Sequence, residues 1–453
     1  MANIKIGILE KLGYGTLSVS NNIVVQFVST FILFFYTDVL GIPPAVAGIV
    51  LAIGIIWDGI SDPILANFAD NRRFKNGERT RPYMLYICGP FALITVFMFM
   101  PFTLPLTLKV AYCIFVYLIY GSLTTLFRLP SYAMPTLATP NHSERLSINT
   151  FASGGATLGG VLASVMCWPL VRLFSGLNPD RSMINPQRGF PMTAVVIGLL
   201  IIAGSLFSYF NSRERVLPKS EKEEKLSLLQ SFKITMADYN FRWNTAFSTL
   251  YFINNALLTT TLVYYCTYVY KNSGAVTAIM GTFAIGSLIA LPFIKKVDNS
   301  FGRRKAMMLG ALLILLSRIP FVILPHNIIS MYVTALIMGL SVALNIVTFS
   351  TNRAVVSDHV EYVNNRRLDS MVINFMGFFN KCGNSFTTLG IGLVLQFAGY
   401  QANVSNQPAS VALAMVFIIG WASIAFSSLM IFCGSKITVE KVLLEMNKGA
   451  NHV

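Results

Sequence analysis

Charged residues are scarce in this sequence of 453 residues, in which Asp, Glu, Lys and Arg together make up 12%. Soluble globular domains typically carry about 25% charged residues. Hydrophobic residues make up 54%, the mean hydropathy is +0.62, and long apolar runs recur along the whole length. This balance excludes an ordinary soluble domain and predicts a chain that crosses a membrane many times.

Residues that build disulfides, metal centres and hydrolytic sites are also few. The six cysteines lie scattered without a CxxC pair, and the four histidines form no cluster in the sequence. Neither a GxxxxGK[ST] phosphate-binding loop nor a GxSxG motif occurs. We therefore expect no disulfide framework, no structural metal and no cofactor. An enzyme such as a hydrolase, or an ATP-driven pump, has no support.

Apolar segments close to the roughly 20 residues that cross a bilayer follow one another along the chain. Twelve are predicted, centred near residues 28, 56, 94, 120, 160, 200, 255, 284, 314, 340, 384 and 420. The stretch MANIKIGILEKLGYG leads directly into the first and shows no cleavable signal. The sequence thus predicts an all-α membrane protein with twelve transmembrane helices.

The net charge of +15 is concentrated in loops on one side of the predicted bilayer. The loops after spans 2 and 8 are strongly basic, whereas the opposite loops, except the one after span 5, are nearly uncharged. Cytoplasmic loops carry an excess of Lys and Arg, so both termini are predicted to be cytoplasmic. The positive charge is therefore explained by insertion into the inner (plasma) membrane. The expected partner is the lipid bilayer, and binding to nucleic acid is not expected. We expect a monomer.

The basic loop after span 2 is echoed after span 8, which is the second span of the second half. Asp70-Asn71-Arg72-Arg73 resembles Asp298-Asn299 followed by Gly302-Arg303-Arg304-Lys305. Two pseudo-symmetric six-helix bundles are therefore predicted, at 1–211 and 241–436, with a cytoplasmic linker at 212–240 and a tail at 437–453. This is the plan of major-facilitator transporters, whose substrate site lies between the halves near the midplane.

Charge pairs in the cytoplasmic loops are predicted to form a gate that closes this side. Its expected members are Asp70, Asp298, Arg303, Arg353, Asp358 and Glu361. For any single arginine, a role only in setting the topology is the alternative.

Two aspartates are the only charges in the second span, GIVLAIGIIWDGISDPILANF, residues 48–68. Asp58 and Asp62 are four residues apart, so both lie on one face of a helix. An intramembrane carboxylate costs about 2.5–3.5 kcal/mol on insertion scales and usually marks an ion or proton path. We predict a cation site here; a salt bridge to a neighbouring helix is the alternative.

Basic residues also lie within predicted spans. Arg128 in span 4 and Lys381 in span 11 are deep, and they nearly balance the two acids, as burial at low dielectric requires. Arg318 lies near the outer end of span 9 and is expected to snorkel to the interface. For Arg128, a purely structural pairing with Asp58 or Asp62 is the alternative to contact with a substrate.

Amide, hydroxyl and aromatic side chains accompany these charges in the predicted spans. They include Asn21, Asn22, Thr124, Thr125, Asn149, Asn254, Asn255, Tyr120, Tyr132, Tyr264 and Trp57. Each alone is explained by a hydrogen bond between helices, worth about 0.6 kcal/mol. Together they favour an aromatic-walled cavity with many hydrogen-bonding groups, which suits a sugar.

At these residues the chain resembles the glycoside–pentoside–hexuronide:cation symporters. The matching segments are FFYTDVLGIP (34–43), WDGISDP (57–63), RTRPYMLY (79–86), LPSYAMPTLAT (129–139), SDHVEY (357–362), NKCG (380–383) and the GY pair (399–400). They fall in both halves, so the resemblance covers essentially the whole chain. It implies the major-facilitator fold and symport of a sugar with a monovalent cation.

The resemblance also implies roles for individual residues. In that family the acids that match Asp58 and Asp62 bind the coupling cation, and the residues that match Thr125 and Lys381 contribute. The position of Ser61 is Asn in the sodium-coupled melibiose carriers. Serine keeps an oxygen but has a shorter reach, so the choice between Na+ and H+ stays open.

Departures from the family pattern concern the sugar-binding residues. The melibiose carriers have Asp where this chain has Asn22 and Arg128, Arg where it has Asn149, and Trp where it has Tyr132. The DYGE-type motif is altered to Glu361-Tyr362-Val363-Asn364. Losing two acids and gaining an arginine makes the pocket more positive, which favours an acidic sugar bound by a forked guanidinium.

The sequence thus predicts a secondary transporter that moves a sugar, and specifically an acidic sugar such as a uronide or sulfonated hexose, with Na+ or H+. The predicted substrate-binding residues are Arg128, Asn22, Thr124, Tyr132, Asn149, Tyr120 and Lys381; the predicted cation-binding residues are Asp58, Asp62, Ser61 and Thr125. Alternatives are a neutral pentoside or glycoside symporter with a structural Arg128, a lipid carrier, and a non-transporting sensor of the same fold.

Overall fold

The computed structural model describes residues 6–71, 74, 77–139, 141–178, 183–215, 228–364, 369–402, 404 and 406–439. The chain divides into two compact units. Unit 1 comprises Met1–Glu221 together with Asn272–Thr277, and unit 2 comprises Lys222–Lys271 together with Ala278–Val453.

The described residues of unit 1 form a bundle of long helices. They are α1 (Ile8–Phe34), α2 (Pro44–Asn71), α3 (Arg81–Met98), α4 (Leu106–Ala138), α5 (His142–Ser175) and α6 (Pro186–Asn211). An aromatic cluster fills one end of this bundle, where Phe31 and Phe34 of α1 contact Trp168 of α5 and Phe190 of α6. Trp168 is fully buried there, so this cluster fixes the end of α5.

The described residues of unit 2 begin with a short helix and continue with long ones. They are α7 (Leu228–Ala237), α8 (Tyr239–Tyr264), α9 (Ala275–Phe301), α10 (Arg303–Ile323), α11 (Ile328–Asn364), α12 (Asp369–Phe397), α13 (Ala409–Val416) and α14 (Ser423–Lys436). A π-helical turn, Phe417–Ala422, joins α13 to α14 without a break.

The helices agree with the predicted all-α membrane fold. Every predicted span centre lies in a helix or in the turn between α13 and α14. Nine helical segments of the described residues are long and apolar enough to cross a membrane, and α9 adds a shorter apolar stretch, Ala275–Ala290. Polar residues such as Asn254 and Asn255 in α8, and Asn380 and Lys381 in α12, lower the hydropathy of two further long helices. Such residues usually face the interior of a bundle.

An internal repeat links the first long helix of each unit. α1 continues into a π-helical turn, Phe35–Val39, and α8 into an equivalent turn, Tyr265–Val269. In both, the next backbone N–H donates to the carbonyl of the first turn residue, at 3.0 Å and 3.1 Å. The chain then leaves through a left-handed residue, Gly41 (φ 69°) or Lys271 (φ 50°). Because 41 and 271 differ by 230, as 35 and 265 do, one supersecondary unit is repeated.

A carboxylate from the end of α6 caps the start of α3. Glu214 accepts the backbone N–H groups of Arg79, Thr80 and Arg81 at 2.7–2.8 Å, and the Thr80 hydroxyl at 2.9 Å. The first N–H groups of a helix have no partner within it, and the helix dipole favours an anion there. Glu214 thus holds the last part of the predicted basic loop within unit 1.

An ion pair joins the start of α1 to the same segment. Both carboxylate oxygens of Glu10 accept from the guanidinium of Arg215 at 2.8 Å, and Tyr14 donates to Glu10 at 3.3 Å. The hydrogen bonds that Arg215 donates to Glu10 raise the pKa of Arg215 above its already high ordinary value, so Arg215 stays charged. The chain after α6 is therefore fixed at both Glu214 and Arg215.

Arg318 of α10 does not snorkel, and that prediction is wrong. Its side chain is fully buried in unit 2. Its Nε donates to Ser423 Oγ at 2.9 Å, and Ser423 in turn donates to Asn254 Oδ1 at 2.5 Å. The position of Arg318 along α10 suggested an interface, but the side chain projects from the face of α10 that packs on other helices of the unit.

Candidate cation and substrate site

The two aspartates of α2 both contact α4, which agrees with the common helix face that their spacing predicted. Asp62 accepts a short hydrogen bond from the Thr125 hydroxyl. Asp58 lies against Gly121, where a Cβ would stand only 2.5 Å from the carboxylate oxygen Oδ1. Gly121 and Thr125 are one helical turn apart on α4, so α2 and α4 present matched surfaces. The structure therefore brings two of the four predicted cation ligands, Asp62 and Thr125, into contact, and it places Asp58 against the same helix.

Ser61 is the fourth predicted cation ligand, and its hydroxyl is unusual. Most hydroxyls in these helices donate to the carbonyl four residues earlier, as Thr124 does to Tyr120 at 2.7 Å and Ser122 to Leu118 at 3.0 Å. Ser61 is buried, yet its Oγ has no hydrogen-bond partner among the described residues. Burying a hydroxyl without a partner is costly, so this oxygen is suited to an added ligand.

A tryptophan missed by the cation-site prediction also crosses this interface. Trp57 donates from its indole Nε1 to Ser122 Oγ at 2.8 Å. Because Trp57 precedes Asp58 and Ser122 follows Gly121, this bond fixes the register of α2 against α4 beside the carboxylate.

Arg128 lies less than one turn beyond Thr125 on the same helix. Its guanidinium donates to the Tyr132 hydroxyl and lies 5.4 Å from the centre of the Tyr132 ring. It is also close enough to Asp62 for the two charges to interact. Tyr132 is 62% exposed. Pro130 cannot donate a backbone hydrogen bond, so a carbonyl of α4 near Arg128 loses its usual partner.

The other predicted substrate ligands of unit 1 pack internally, bond to their own helix, or lie exposed. Tyr120 is buried and stacks on Phe91 at 5.9 Å. The hydroxyl of Thr124 donates to its own helix, and so does the amide of Asn22, to Ser18 O at 2.9 Å. Asn149 is exposed on α5. Their contact with a substrate stays a prediction.

Lys381 belongs to α12 of unit 2 and is partly buried. The preceding residue, Asn380, accepts from Ser248 Oγ at 2.8 Å and Thr249 Oγ1 at 3.2 Å of α8. The α8–α12 interface is thus polar at this level, and the role of Lys381 toward a substrate or cation remains a prediction.

The predicted cytoplasmic gate is only partly described. The side chains of Asp70 and Asp298 lie outside the described residues, while Arg303 begins α10 and Arg353, Asp358 and Glu361 lie on α11. An additional pair was missed within SDHVEY: His359 Nδ1 lies 2.6 Å from Asp238 Oδ2. Asp238 also accepts the Phe241 N–H at 2.7 Å, so it caps α8 while it holds α11.

Comparison with known proteins shows to which family this chain belongs. A family model described as "MFS/sugar transport protein" matches residues 13–438, nearly the whole chain. The chain belongs to this family. The MFS/sugar transport assignment confirms the predicted major-facilitator fold and the predicted class of membrane-spanning sugar transporter.

Curated relatives of this MFS chain include proteins with two kinds of named substrate. A candidate 2,3-dihydroxypropane-1-sulfonate exporter of Escherichia coli (strain K12) is 27% identical over 421 residues, covering 89% of this chain and 87% of that protein. A candidate glycoside/cation symporter of the same organism, YagG, is 24% identical over 420 residues, covering 89% and 85%. The predicted resemblance to glycoside:cation symporters is thereby confirmed.

A solved structure supports the fold of the MFS chain. The inward-facing, unoccupied structure of a bacterial homologue of the human lysosomal transporter Spinster matches with a TM-score of 0.67 at 14% identity, covering 96% of this chain and 97% of that one.

Proposed function

We propose that this protein is a symporter of the inner membrane that couples a sugar or glycoside to a monovalent cation by alternating access, with both termini in the cytoplasm. Coupling to a cation is supported by the α2–α4 interface. There Asp62 accepts a hydrogen bond from Thr125, and Asp58 lies against Gly121. Two carboxylates one turn apart repel each other unless a positive charge lies with them. Arg128 lies near Asp62, and a sodium ion or a proton bound between α2 and α4 adds positive charge at both carboxylates.

The four predicted cation ligands at this interface would each coordinate the cation through oxygen. Carboxylates and hydroxyls suit hard cations, and the unpartnered Oγ of Ser61, one helical turn from Asp58 on α2, adds one more oxygen. A proton needs only one carboxylate, whereas a sodium ion uses several oxygens at once. The set therefore favours sodium over a proton.

We further propose that the substrate carries an anionic group, a carboxylate or a sulfonate, that Arg128 binds. A guanidinium offers a planar fork of donors that matches both groups, which an ammonium does not. The exposed Tyr132 hydroxyl beside it supplies a second donor. The sulfonate named for one relative supports this class. The glycoside named for the other supports the alternative, a neutral substrate with Arg128 structural.

Uptake into proteoliposomes tests both parts of the proposal. Neutral glycosides, uronides and sulfonated hexoses are offered with an imposed sodium gradient, with a proton gradient, and with neither. We expect sodium-driven accumulation of an acidic sugar. Asp62→Asn is expected to abolish accumulation against a gradient while substrate binding persists.

Arg128 variants separate an anion-binding role from a structural one. Charge-assisted hydrogen bonds are worth about 1.5–3 kcal/mol, so Arg128→Gln is expected to weaken acidic-sugar binding about tenfold to a hundredfold. Arg128→Lys is also expected to bind more weakly than the parent, and cation binding is expected to survive in both. Arg213→Gln, an exposed arginine after α6, is the matched control. Transport of neutral sugars only, or loss of cation binding in Arg128→Gln, contradicts the substrate assignment.

A further inference from the structure

A short segment that precedes α9 and includes its first three residues departs from the unit around it. Residues Asn272–Thr277 belong to unit 1, whereas the residues on both sides of the segment, through Lys271 and from Ala278, belong to unit 2. Val276 within it is fully buried. The segment is therefore attached to unit 1 by packing, although its chain neighbours are not part of that unit.

Two residues at the end of α5 make this attachment. The indole Nε1 of Trp168 donates to the carbonyl of Ser273 at 2.5 Å. The Arg172 side chain packs against Gly274, and its Nη1 would lie 2.5 Å from a Cβ at that position. One backbone carbonyl is thus bonded, and the next residue leaves room for a guanidinium because it has no side chain.

The surface of unit 1 that receives the segment is closely packed. Trp168 stacks on Phe31 with ring centres 5.3 Å apart and planes 8° apart, and it meets Phe34 edge to face at 5.9 Å. A buried indole N–H needs a partner, and within unit 1 the Ser273 carbonyl provides it.

The boundary between the units falls at a strained residue. Lys271 has φ 50°, a left-handed conformation that non-glycine residues adopt uncommonly. The repeat equivalent in unit 1 is Gly41, for which this conformation is easy. Strain of this kind occurs at switch regions. Here it lies directly between the π-helical turn that ends α8 and the attached segment.

We propose that Asn272–Gly274 is a latch that holds onto Trp168 and Arg172 in one stage of transport and releases them in another, with Lys271 as its hinge. This inference rests on the proposed alternating-access function. The predicted topology places the loops after spans 5 and 7 on the outer side, so the latch closes that side. Release exposes the Trp168 N–H and the Ser273 carbonyl to water that enters from outside.

Thiol accessibility tests the latch without any knowledge of the substrate. Val276→Cys is introduced after the half-exposed Cys382 has been replaced by alanine, since the other five cysteines are buried. The rate of reaction with a membrane-impermeant maleimide applied from outside is then measured. The parent reporter is expected to react slowly. Trp168→Phe, which keeps an aromatic ring but loses the N–H, and Gly274→Ala, which displaces Arg172, are each expected to raise the rate.

The expected increase is about threefold to tenfold, which corresponds to the loss of one hydrogen bond of ordinary strength. Trp421→Phe, at an exposed position, and Gly160→Ala, on α5 with open space around its Cβ, are controls that should leave the rate unchanged. Gly274→Ala is mild, because the only close neighbours of the new methyl group are mobile side-chain ends. Equal rates in the parent and both latch variants overturn the proposal. Failure to transport any sugar overturns the proposed function instead, and leaves the labelling result interpretable.

Discussion

At the scale of single residues, the candidate cation site depends on the absence of a side chain at one position. A Cβ on Gly121 would stand 2.5 Å from Asp58 Oδ1, well inside van der Waals contact. Gly121→Ala must therefore move the carboxylate or separate α2 from α4. We expect the cation concentration for half-maximal uptake to rise at least about tenfold, as a loss of about 1.4 kcal/mol produces. Gly89→Ala, with nothing near its Cβ, is the control, and an unchanged cation dependence in Gly121→Ala contradicts the site.

A variant at Ser61 can show whether its hydroxyl is a cation ligand or only a buried group without a role in binding. If its Oγ binds the cation, Ser61→Ala weakens cation activation of uptake. If Oγ is only an unpartnered group, alanine removes a buried polar atom and leaves the protein equally or more stable with unchanged activation. We expect the first result, about a tenfold weakening from one lost ligand. Cation titrations of uptake, together with thermal unfolding in detergent, distinguish the two.

Sequence reasoning found the two acids, and the family resemblance added Thr125, but the contacts of Gly121 and Ser122 were missed. The i, i+4 spacing of Asp58 and Asp62 fixes their common face because helix geometry is local. Which residue of α4 meets each acid depends on the register between two helices, and neither Gly121 nor Ser122 carries a signal for that. Arg318 failed for a related reason: its depth can be read from the sequence, but the direction of its side chain depends on α14, more than 100 residues later.

At the scale of helices, the start of α3 depends on Glu214. Glu214→Gln keeps one oxygen but loses the charge that accepts three backbone N–H groups and the Thr80 hydroxyl. Hydrogen bonds to charged groups are worth about 1.5–3 kcal/mol, so we expect a loss of stability of that order and a lower melting temperature in detergent. Glu214→Asp, with the charge kept and the reach shortened, is expected to fall between Gln and the parent. A melting temperature of Glu214→Gln equal to the parent's shows that water replaces the cap.

At the scale of the whole molecule, the acidic residues of the two repeated loops remain the predicted cytoplasmic gate. Reversing Asp70 or Asp298 to Lys puts like charges together in the basic loops. We expect each reversal to shift the resting population toward the inward-open state, measured as faster cytoplasmic thiol labelling in the cavity. Unchanged labelling in both variants counts against the gate. The repeat itself supports the underlying symmetry, since the π-helical turn and left-handed exit recur after α1 and α8.

The cap on α3 also bears on how the chain is made. Residues 79–81 find their acceptor 133–135 positions later, and Glu10 finds Arg215 205 positions later. Chains grow at about 5–20 residues per second, so α3 waits on the order of ten seconds for its cap. The ends of α1 and α3 are consequently fixed during synthesis only after the residues that follow α6 have been made. A nascent chain arrested just short of Glu214 should be degraded faster than one that extends past Arg215.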